Sequence, residues 1–358
     1  MKKNPNLTIL ILIVLLTILS CKANRENVPR NIILMIGDGM GLAHVYAAMT
    51  VSEKPLNIER CNITGLIKTV SLDSYITDSG AAGTALATGT KTVNGAISVD
   101  SLGKSLKSIL EIAEDNGLAT GLVSTSSITH ATPASFIAHQ INRDNYEDIA
   151  RDFLKTDIDL FIGGGYNNFA RRNDKLDLTD SLKSRSYEID TSLSMVLRSI
   201  SGKLAGFTAL DQNPYRLSGR GDMLPASTGK AIAILSKNKK GFFLMVEGSQ
   251  IDWAAQPNCA DTLIDEVLDF DKAVGIALDY AQKDGHTLVV VTADHETGGV
   301  TVIDGDLKSR RVTLGISSNG HTAVMVPVFA YGPGAEKFTG IYDNTDIFKK
   351  INALFRFN

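Results

Sequence analysis

Six short runs of apolar residues, rich in Val and Ile, constrain the fold of this chain more than any other feature. Such runs, without polar alternation, are typical of strands buried on both faces of a parallel sheet. Amphipathic stretches such as Leu106–Asp115 and Thr262–Gln282 separate several of them and suit helices. The alternation predicts an α/β fold with a doubly wound, mostly parallel central sheet flanked by helices. The six runs are Ile32–Ile36, Thr120–Val123, Leu160–Ile162, Phe242–Val246, Thr287–Thr292 and Val326–Tyr331.

Composition narrows the class of protein further. The chain has 358 residues, of which 44% are hydrophobic and 21% charged, values that exclude a disordered chain and a polytopic membrane protein. The net charge of −3 argues against a nucleic-acid-binding surface, which usually carries a basic excess. Three cysteines cannot make a disulfide framework, and the sequence leaves open whether Cys61 and Cys259 pair.

The first twenty residues have the pattern of a targeting segment. Lys2 and Lys3 precede an apolar run, Leu7–Leu19, which is too short for a comfortable membrane span. The run ends at Ser20-Cys21, a small residue followed by Cys that resembles a bacterial lipobox. An ordinary secretory signal and an uncleaved anchor are the alternatives.

The lipobox interpretation divides the chain into three parts. We expect residues 1–20 to be a lipoprotein signal peptide, residues 21–30 a polar tether, and residues 31–358 one catalytic domain. Cys21 would carry the lipid and hold the protein on a membrane of the bacterial cell envelope, on its periplasmic or outer-membrane face.

Polar residues follow several of the predicted strands where each strand ends. Ligands of parallel sheets bind at this carboxyl edge, and buried charge is costly unless it is paired or bound to metal. A capping or hydrogen-bonded carboxylate would explain any one of these residues, but several strands delivering Asp, Glu and His to one edge predict a metal cluster. The residues are Asp38, Glu247, Asp252, Asp294 and His295.

Ser79 begins a stretch of small residues that ends at Gly89 and suits a closely packed helix. The positive end of a helix favours both a phosphate group and an ionised serine, which makes Ser79 a candidate nucleophile. The commoner role of a serine at this position is an N-cap. The chain has no Gly-x-Ser-x-Gly elbow, so a hydrolase of the Ser-His-Asp type is not indicated.

Taken together, these segments resemble the alkaline phosphatase family, and the resemblance covers nearly all of residues 31–358. That family hydrolyses phosphate monoesters through a phosphoserine, with two zinc ions and usually one magnesium ion. The segments that carry the resemblance are Asp38-Gly39-Met40-Gly41, Asp78-Ser79, His130-Ala131-Thr132-Pro133 with Arg143, Glu247 to Asp252, Asp294-His295-Glu296 and His321-Thr322.

The resemblance implies a role for each of these positions. Asp38, Asp294 and His295 would hold the Zn²⁺ that activates Ser79. Asp252 and His321 would hold the second Zn²⁺. Thr132 and Glu247 would frame the Mg²⁺ site, with Asp38 bridging. The remaining residues would lie around these ions: Arg143 clamping the phosphate, and Asp78, His130 and Trp253 beside the site.

One position departs from the family pattern. The third ligand of the second zinc is normally a His four residues after the Asp, and here that residue is Gln256. A neutral carboxamide is a much weaker zinc ligand than imidazole. Pro257 also disfavours helical geometry at Gln256, because a proline disfavours that geometry in the residue before it. Asn258 is another candidate for the vacant position.

The family's crown insertion corresponds to a short stretch between Gly299 and His321, so we expect a reduced crown. The crown helps to form the dimer in larger relatives, and a homodimer is therefore left open here. Two other functions also stay open: a phosphodiesterase of the same superfamily, and a phosphate-binding lipoprotein whose turnover is impaired by Gln256.

Overall fold

The computed structural model describes residues 28–257 and 259–357, so the predicted signal peptide, Cys21, most of the tether and Asn258 lie outside the described residues. The strands are β1 (Asn31–Gly37), β2 (Ile63–Lys68), β3 (Ala119–Ser127), β4 (Leu160–Gly164), β5 (Glu188–Asp190), β6 (Leu204–Phe207), β7 (Phe242–Gly248), β8 (Thr287–Thr292), β9 (Glu296–Thr297), β10 (Val300–Asp306), β11 (Arg311–Ile316), β12 (His321–Thr322), β13 (Val326–Tyr331) and β14 (Gly340–Asp343). The helices are α1 (Leu42–Val51), α2 (Ser79–Thr88), α3 (Ile109–Asp115), α4 (Ala131–Ala134), α5 (Tyr146–Asp152), α6 (Tyr166–Ala170), α7 (Leu178–Ser184), α8 (Leu193–Arg198), α9 (Met223–Leu235), α10 (Gln250–Ala255), α11 (Ala260–Asp284) and α12 (Thr345–Phe355).

Ten of these strands form one sheet, in the order β14-β2-β13-β8-β1-β7-β3-β4-β6-β5. All six apolar runs are strands of this sheet, which confirms the predicted α/β class. Nine strands run in one direction, and β13 is antiparallel to both of its neighbours. The run Val326–Tyr331 is therefore a strand as predicted but not a parallel one, because burial alone does not encode strand direction.

The two predicted helices form with small differences at their ends. The stretch Thr262–Gln282 lies inside α11. The helix expected from Leu106 begins three residues later, at Ile109. Ser108 caps it: the Ser108 hydroxyl accepts from the Glu111 N–H, and the Glu111 carboxylate accepts from the Ser108 N–H. This reciprocal capping box fixes the start of the helix.

Strand register brings the polar ends of the strands together. β1 lies between β7 and β8, and Ile36 is opposite Glu247 on one side and Thr292 on the other. On the far side of β7, Ser124 of β3 is opposite Glu247. The side chains that follow these strands therefore emerge at one buried edge of the sheet, as expected for the carboxyl ends of parallel strands.

The residues between Gly299 and His321 confirm the reduced crown. They form a two-stranded antiparallel hairpin of β10 and β11, in which Val300 pairs with Ile316 and Asp306 with Arg311. After the hairpin, β12 returns to pair with β9, so that His321 lies opposite Thr297 at the carboxyl edge of the main sheet.

The two cysteines within the described residues are not bonded to each other. Cys61 is half-buried and Cys259 is exposed, and both are free thiols. Burial raises the pKa of the Cys61 thiol to about 12, so it is protonated at neutral pH. Over residues 28–257 and 259–357, no helix combines the length and the apolar character needed to cross a bilayer.

Candidate active site

A first cluster of side chains surrounds the His295 ring at the carboxyl edge. His295 Nε2 lies 3.2 Å from Ser79 Oγ, 3.4 Å from Asp38 Oδ1 and 3.3 Å from Asp294 Oδ2. Neither oxygen of Asp38 has a hydrogen-bond partner within the described residues, nor does Asp294 Oδ2. A ring nitrogen has one proton or one lone pair and cannot satisfy all three oxygens, whereas a cation among them would.

This arrangement is not a Ser-His-Asp triad. In a triad the carboxylate binds the ring nitrogen that faces away from the serine. Here both carboxylates lie on the serine side of His295, and Nδ1 faces the Thr297 hydroxyl at 3.3 Å. The geometry agrees with the missing Gly-x-Ser-x-Gly elbow and favours activation of Ser79 by a metal ion.

A second cluster contains Asp252 and His321, with His295 beside them. His321 Nδ1 donates to the Thr77 carbonyl oxygen at 2.9 Å, which leaves a lone pair on Nε2 in the neutral ring. That nitrogen lies 3.4 Å from Asp252 Oδ1. The His321 and His295 rings stack with centroids 3.5 Å apart. Two electron-pair donors facing each other suit a bound cation, and the Nδ1 hydrogen bond orients the ring for one.

Gln256 lies against this second cluster but not as the sequence suggested. Its backbone is helical (φ −60°, ψ −47°), so the expected effect of Pro257 is wrong. The Gln256 N–H still bonds to the Asp252 carbonyl at 3.2 Å, which holds the last helical turn. The side-chain Nε2 donates to Asp252 Oδ2 at 2.7 Å. The amide therefore binds the carboxylate of Asp252 and does not present its oxygen to a shared ion.

A third cluster contains Asp38, Glu247 and His130. Glu247 Oε2 accepts a short hydrogen bond from Ser124 Oγ, while Oε1 has no partner within the described residues. The Thr132 hydroxyl and His130 Nδ1 are also buried without partners there. The resemblance implied Thr132, Glu247 and Asp38 at one site, and the structure adds a ring nitrogen of His130 to that group.

The electrostatics of these clusters fit divalent cations. Burial, and then the charges of Asp294, Asp252 and Glu247, raise the pKa of Asp38 well above its usual value. Burial likewise raises the pKa of Glu247 to about 7. Buried carboxylates that repel each other take up protons unless positive charge is supplied from elsewhere. Unpartnered oxygens and imidazole nitrogens are the ligands that zinc and magnesium use.

Ser79 stands at the positive end of α2. The Asp78 carboxylate caps that helix by accepting from the Ala81 N–H at 2.9 Å. It also accepts from Arg143 Nη1 at 2.8 Å, and Arg143 Nη2 lies 3.3 Å from His130 Nε2. Burial alone would raise the pKa of Asp78, but the Arg143 charge and the hydrogen bonds hold it below its usual value. A helix N-terminus with an arginine beside it is suited to a phosphate group.

A comparison with protein families identifies the family to which this chain belongs. The alkaline phosphatase family model matches residues 29–308 and 301–357. The chain belongs to the alkaline phosphatase family. Alkaline phosphatase 4 of Bacillus subtilis (strain 168) is 37% identical over 94% of this chain and 90% of its own length. Alkaline phosphatase of Escherichia coli (strain K12) is 34% identical, with 90% and 85% covered.

Solved structures agree with this assignment. Alkaline phosphatase from the Antarctic bacterium TAB5 is 45% identical, with a TM-score of 0.88 and coverage of 92% of this chain and 99% of its own. A mutant of TAB5 alkaline phosphatase with Mg bound in the M3 site is 43% identical, with the same TM-score, 93% and 100% covered. This enzyme is therefore a metal-dependent phosphomonoester hydrolase of alkaline-phosphatase fold, as the resemblance implied.

His130 and Trp253 lie together in this alkaline phosphatase. Their rings meet edge to face with centroids 5.5 Å apart. The Tyr215 hydroxyl donates to the Trp253 carbonyl oxygen at 3.0 Å and ties the residue to a neighbouring loop. Since His130 also faces Arg143, the pair connects the third cluster with the arginine beside Ser79.

Two residues that hold the candidate ligands have no place in the sequence motifs. Thr297 donates its hydroxyl proton to Asp252 Oδ1, and Ser124 donates to Glu247 Oε2. Neither residue type signals a metal site. Ser124 could have been found from the register that sets it opposite Glu247. Thr297 lies two residues after His295, but its role depends on the pairing of β9 with β12. Strands of two residues leave no recognisable pattern in a sequence.

Proposed function

We propose that this alkaline phosphatase transfers the phosphoryl group of a small phosphate monoester to Ser79 and then to water. The observation that carries the proposal is the position of Ser79 Oγ, at the N-terminus of α2 and 3.2 Å from His295 Nε2. Ser79 is therefore beside two buried carboxylates that fit a cation and beside Arg143, which fits a phosphate.

The proposed ligand assignment follows the three clusters. Asp38, Asp294 and His295 would hold one Zn²⁺, and Asp252 and His321 the other. Thr132 and Glu247 would hold Mg²⁺ together with Asp38. Bound ions of this kind stabilise charge on the attacking and leaving oxygens. The oxygen-rich third cluster supports Mg²⁺, although the ring nitrogen of His130 gives it some character of a zinc site.

The protein groups have definite tasks in the proposed reaction. Ser79 Oγ gives up its proton and forms a bond to phosphorus while the bond from phosphorus to the ester oxygen breaks. The ester oxygen leaves with the electron pair and takes up a proton as an alcohol, so the number of protons is unchanged. Water then attacks the phosphoserine, which releases inorganic phosphate and restores the serine hydroxyl. Asp78 holds Arg143 Nη1 and His130 Nε2 accepts from Nη2, so the remaining N–H groups of the guanidinium are left to bind phosphate oxygens.

The proposed second zinc site is the weaker of the two. Both oxygens of Asp252 already accept hydrogen bonds, from Thr297 and from Gln256. Zinc sites in proteins usually have three or more strong protein ligands, and this cluster offers Asp252, His321 and a shared neighbour, His295. If the second site lacked enough ligands to hold zinc at all, the protein would bind phosphate but its turnover would be impaired.

We also propose that the enzyme is anchored to the bacterial cell envelope by lipid on Cys21. The support comes from the sequence, in which an apolar run of signal-peptide length ends at Ser20-Cys21. The homodimer left open by the sequence stays a prediction.

Replacing Ser79 with Ala tests the nucleophile. We expect acid-quenched enzyme to lose its covalently trapped labelled phosphate and turnover to fall by on the order of 10³-fold or more, since only direct attack by water remains. Ser101→Ala, at an exposed serine of a surface loop, is the control and should behave as wild type. Labelled phosphate recovered on another residue of the Ser79→Ala enzyme would refute the assignment.

Replacing Gln256 with His tests the weak zinc site. We expect the variant to bind its second zinc ion at least about tenfold more tightly in a calorimetric titration, because imidazole replaces a neutral amide. Gln256→Leu, which removes the amide without adding a ligand, should not tighten binding. If wild type already binds two zinc ions with the affinity of the Gln256→His protein, then Gln256 does not weaken the second zinc site.

Replacing Cys21 with Ala tests the lipid anchor. We expect the variant either to appear in the soluble envelope fraction or to accumulate as unprocessed precursor, measured by fractionation and intact mass. Finding it membrane-bound with the mature mass of the wild-type protein would show that no lipid on Cys21 holds the enzyme.

A further inference from the structure

The amino ends of the central strands meet at the edge of the sheet opposite the active site. The Arg30 N–H, just before β1, donates to the His286 carbonyl just before β8 at 2.9 Å. A Cβ on Gly241, just before β7, would lie only 2.0 Å from the Arg30 carbonyl oxygen. Lys240 Nζ donates to the carbonyl of Asn116, in the turn before β3, at 3.3 Å. The loops that begin these four strands therefore form one continuous surface.

This surface carries a concentration of positive charge, and we call it the amino-edge basic face. It is defined by five exposed residues: Arg30, Lys237, Lys239, Lys240 and Lys283. Two carboxylates lie at this surface: Asp284, which lies 3.8 Å from Arg30 and also accepts from Asn31 and Thr287, and Asp115, which precedes Asn116 and pairs with Lys107. Within the described residues, none of the four lysines has a carboxylate in ion-pair range, in a chain whose net charge is −3.

The point at which the chain enters the fold places the amino-edge basic face near the proposed lipid anchor. The described part of the chain starts at Val28, two residues before Arg30, and the proposed mature chain has only seven residues before it, 21–27. Seven residues span at most about 25 Å when fully extended. If Cys21 carries lipid, the amino-edge basic face lies close to the bilayer surface.

The active site lies on the far side of the sheet from that face. Asp38 and Asp294 follow the carboxyl ends of β1 and β8, whose six or seven residues make the sheet about 20 Å from edge to edge. A molecule resting on its amino edge would therefore hold Ser79 away from the membrane and open to soluble monoesters.

We propose that the amino-edge basic face binds the surface of anionic lipids. Clustered Lys and Arg side chains are attracted to such surfaces, and the attraction fades beyond a Debye length. The lipid on Cys21 would keep the face within that range, and the face would orient the enzyme with its site outward. The orientation depends on the proposed anchor, but the affinity of the face for lipid does not.

The test uses the mature chain from residue 21 with Cys21→Ser, which removes the lipid; the described fold lies wholly within residues 28–357 and is retained. Its binding is measured by co-sedimentation with phosphatidylcholine vesicles, with or without about 30 mol% phosphatidylglycerol. We expect at least tenfold tighter binding to the anionic vesicles at about 50 mM NaCl and loss of that difference at about 500 mM. Equal binding to both vesicles at low salt would overturn the proposal.

Two triple variants distinguish lipid binding by the amino-edge basic face from lipid binding that depends only on the net charge of the protein. Lys237→Glu, Lys239→Glu and Lys240→Glu together should weaken binding to anionic vesicles at least tenfold. Lys104→Glu, Lys308→Glu and Arg311→Glu change the net charge equally at exposed positions elsewhere and should leave it within about threefold. Lys283 is left unchanged because it also lies in the last turn of α11, where a cation stabilises the helix.

Thermal unfolding and monoester turnover serve as the controls for correct folding, and both should match wild type in both triple variants. A milder set, Lys237→Gln, Lys239→Gln and Lys240→Gln, replaces the first should the charge reversal disturb the start of β7. Equal losses of lipid binding in the face variant and in the control would overturn the proposal, because binding would then follow net charge. Failure of the Cys21 or Ser79 assignments would leave this result unaffected, since neither lipidation nor catalysis enters the measurement.

Discussion

The repulsion among buried carboxylates at the carboxyl edge of the sheet is the constraint on which the site depends. Register places Glu247 beside β1, and Asp38 and Asp294 follow β1 and β8, so their charges gather at a buried edge where several of their oxygens have no hydrogen-bond partner within the described residues. Such a grouping is unfavourable in an empty protein. It becomes favourable when divalent cations balance it, which explains why His295 and His321 also turn their ring nitrogens toward it.

Much of this could be predicted from the sequence, because buried strands and metal ligands both leave strong patterns. The apolar runs predicted the sheet, and the residues after them predicted the edge where Asp38 and Asp294 meet. Strand direction was not predictable for β13, since burial is the same in either direction. The helical state of Gln256 was also missed, because a proline disfavours that conformation in the preceding residue without forbidding it.

Gln256 shows how one residue changes the balance of the whole cluster. The family pattern has a His at this position, and here an amide donates to Asp252 while Thr297 donates to the other oxygen of the same carboxylate. Hydrogen bonds then take over part of the compensation that a metal ion would supply. Burial would raise the pKa of Asp252, but contact with His321, the charges of His295 and His321, and the Thr297 hydroxyl outweigh burial and lower the pKa to about 2.

The most direct measurement of the central constraint is the free energy of unfolding against pH, with and without bound metal. Glu247 has a folded pKa of about 7 against 4.5 for the free group, so in metal-free protein its stabilising effect is full below pH 4.5 and is lost as the pH rises to about 7. The loss would be on the order of 3 kcal/mol, and Asp38 shifts in the same direction. We predict that chelator-treated enzyme loses stability across this range and that added Zn²⁺ and Mg²⁺ abolish the loss. Equal stability of the two forms across that range would contradict the account.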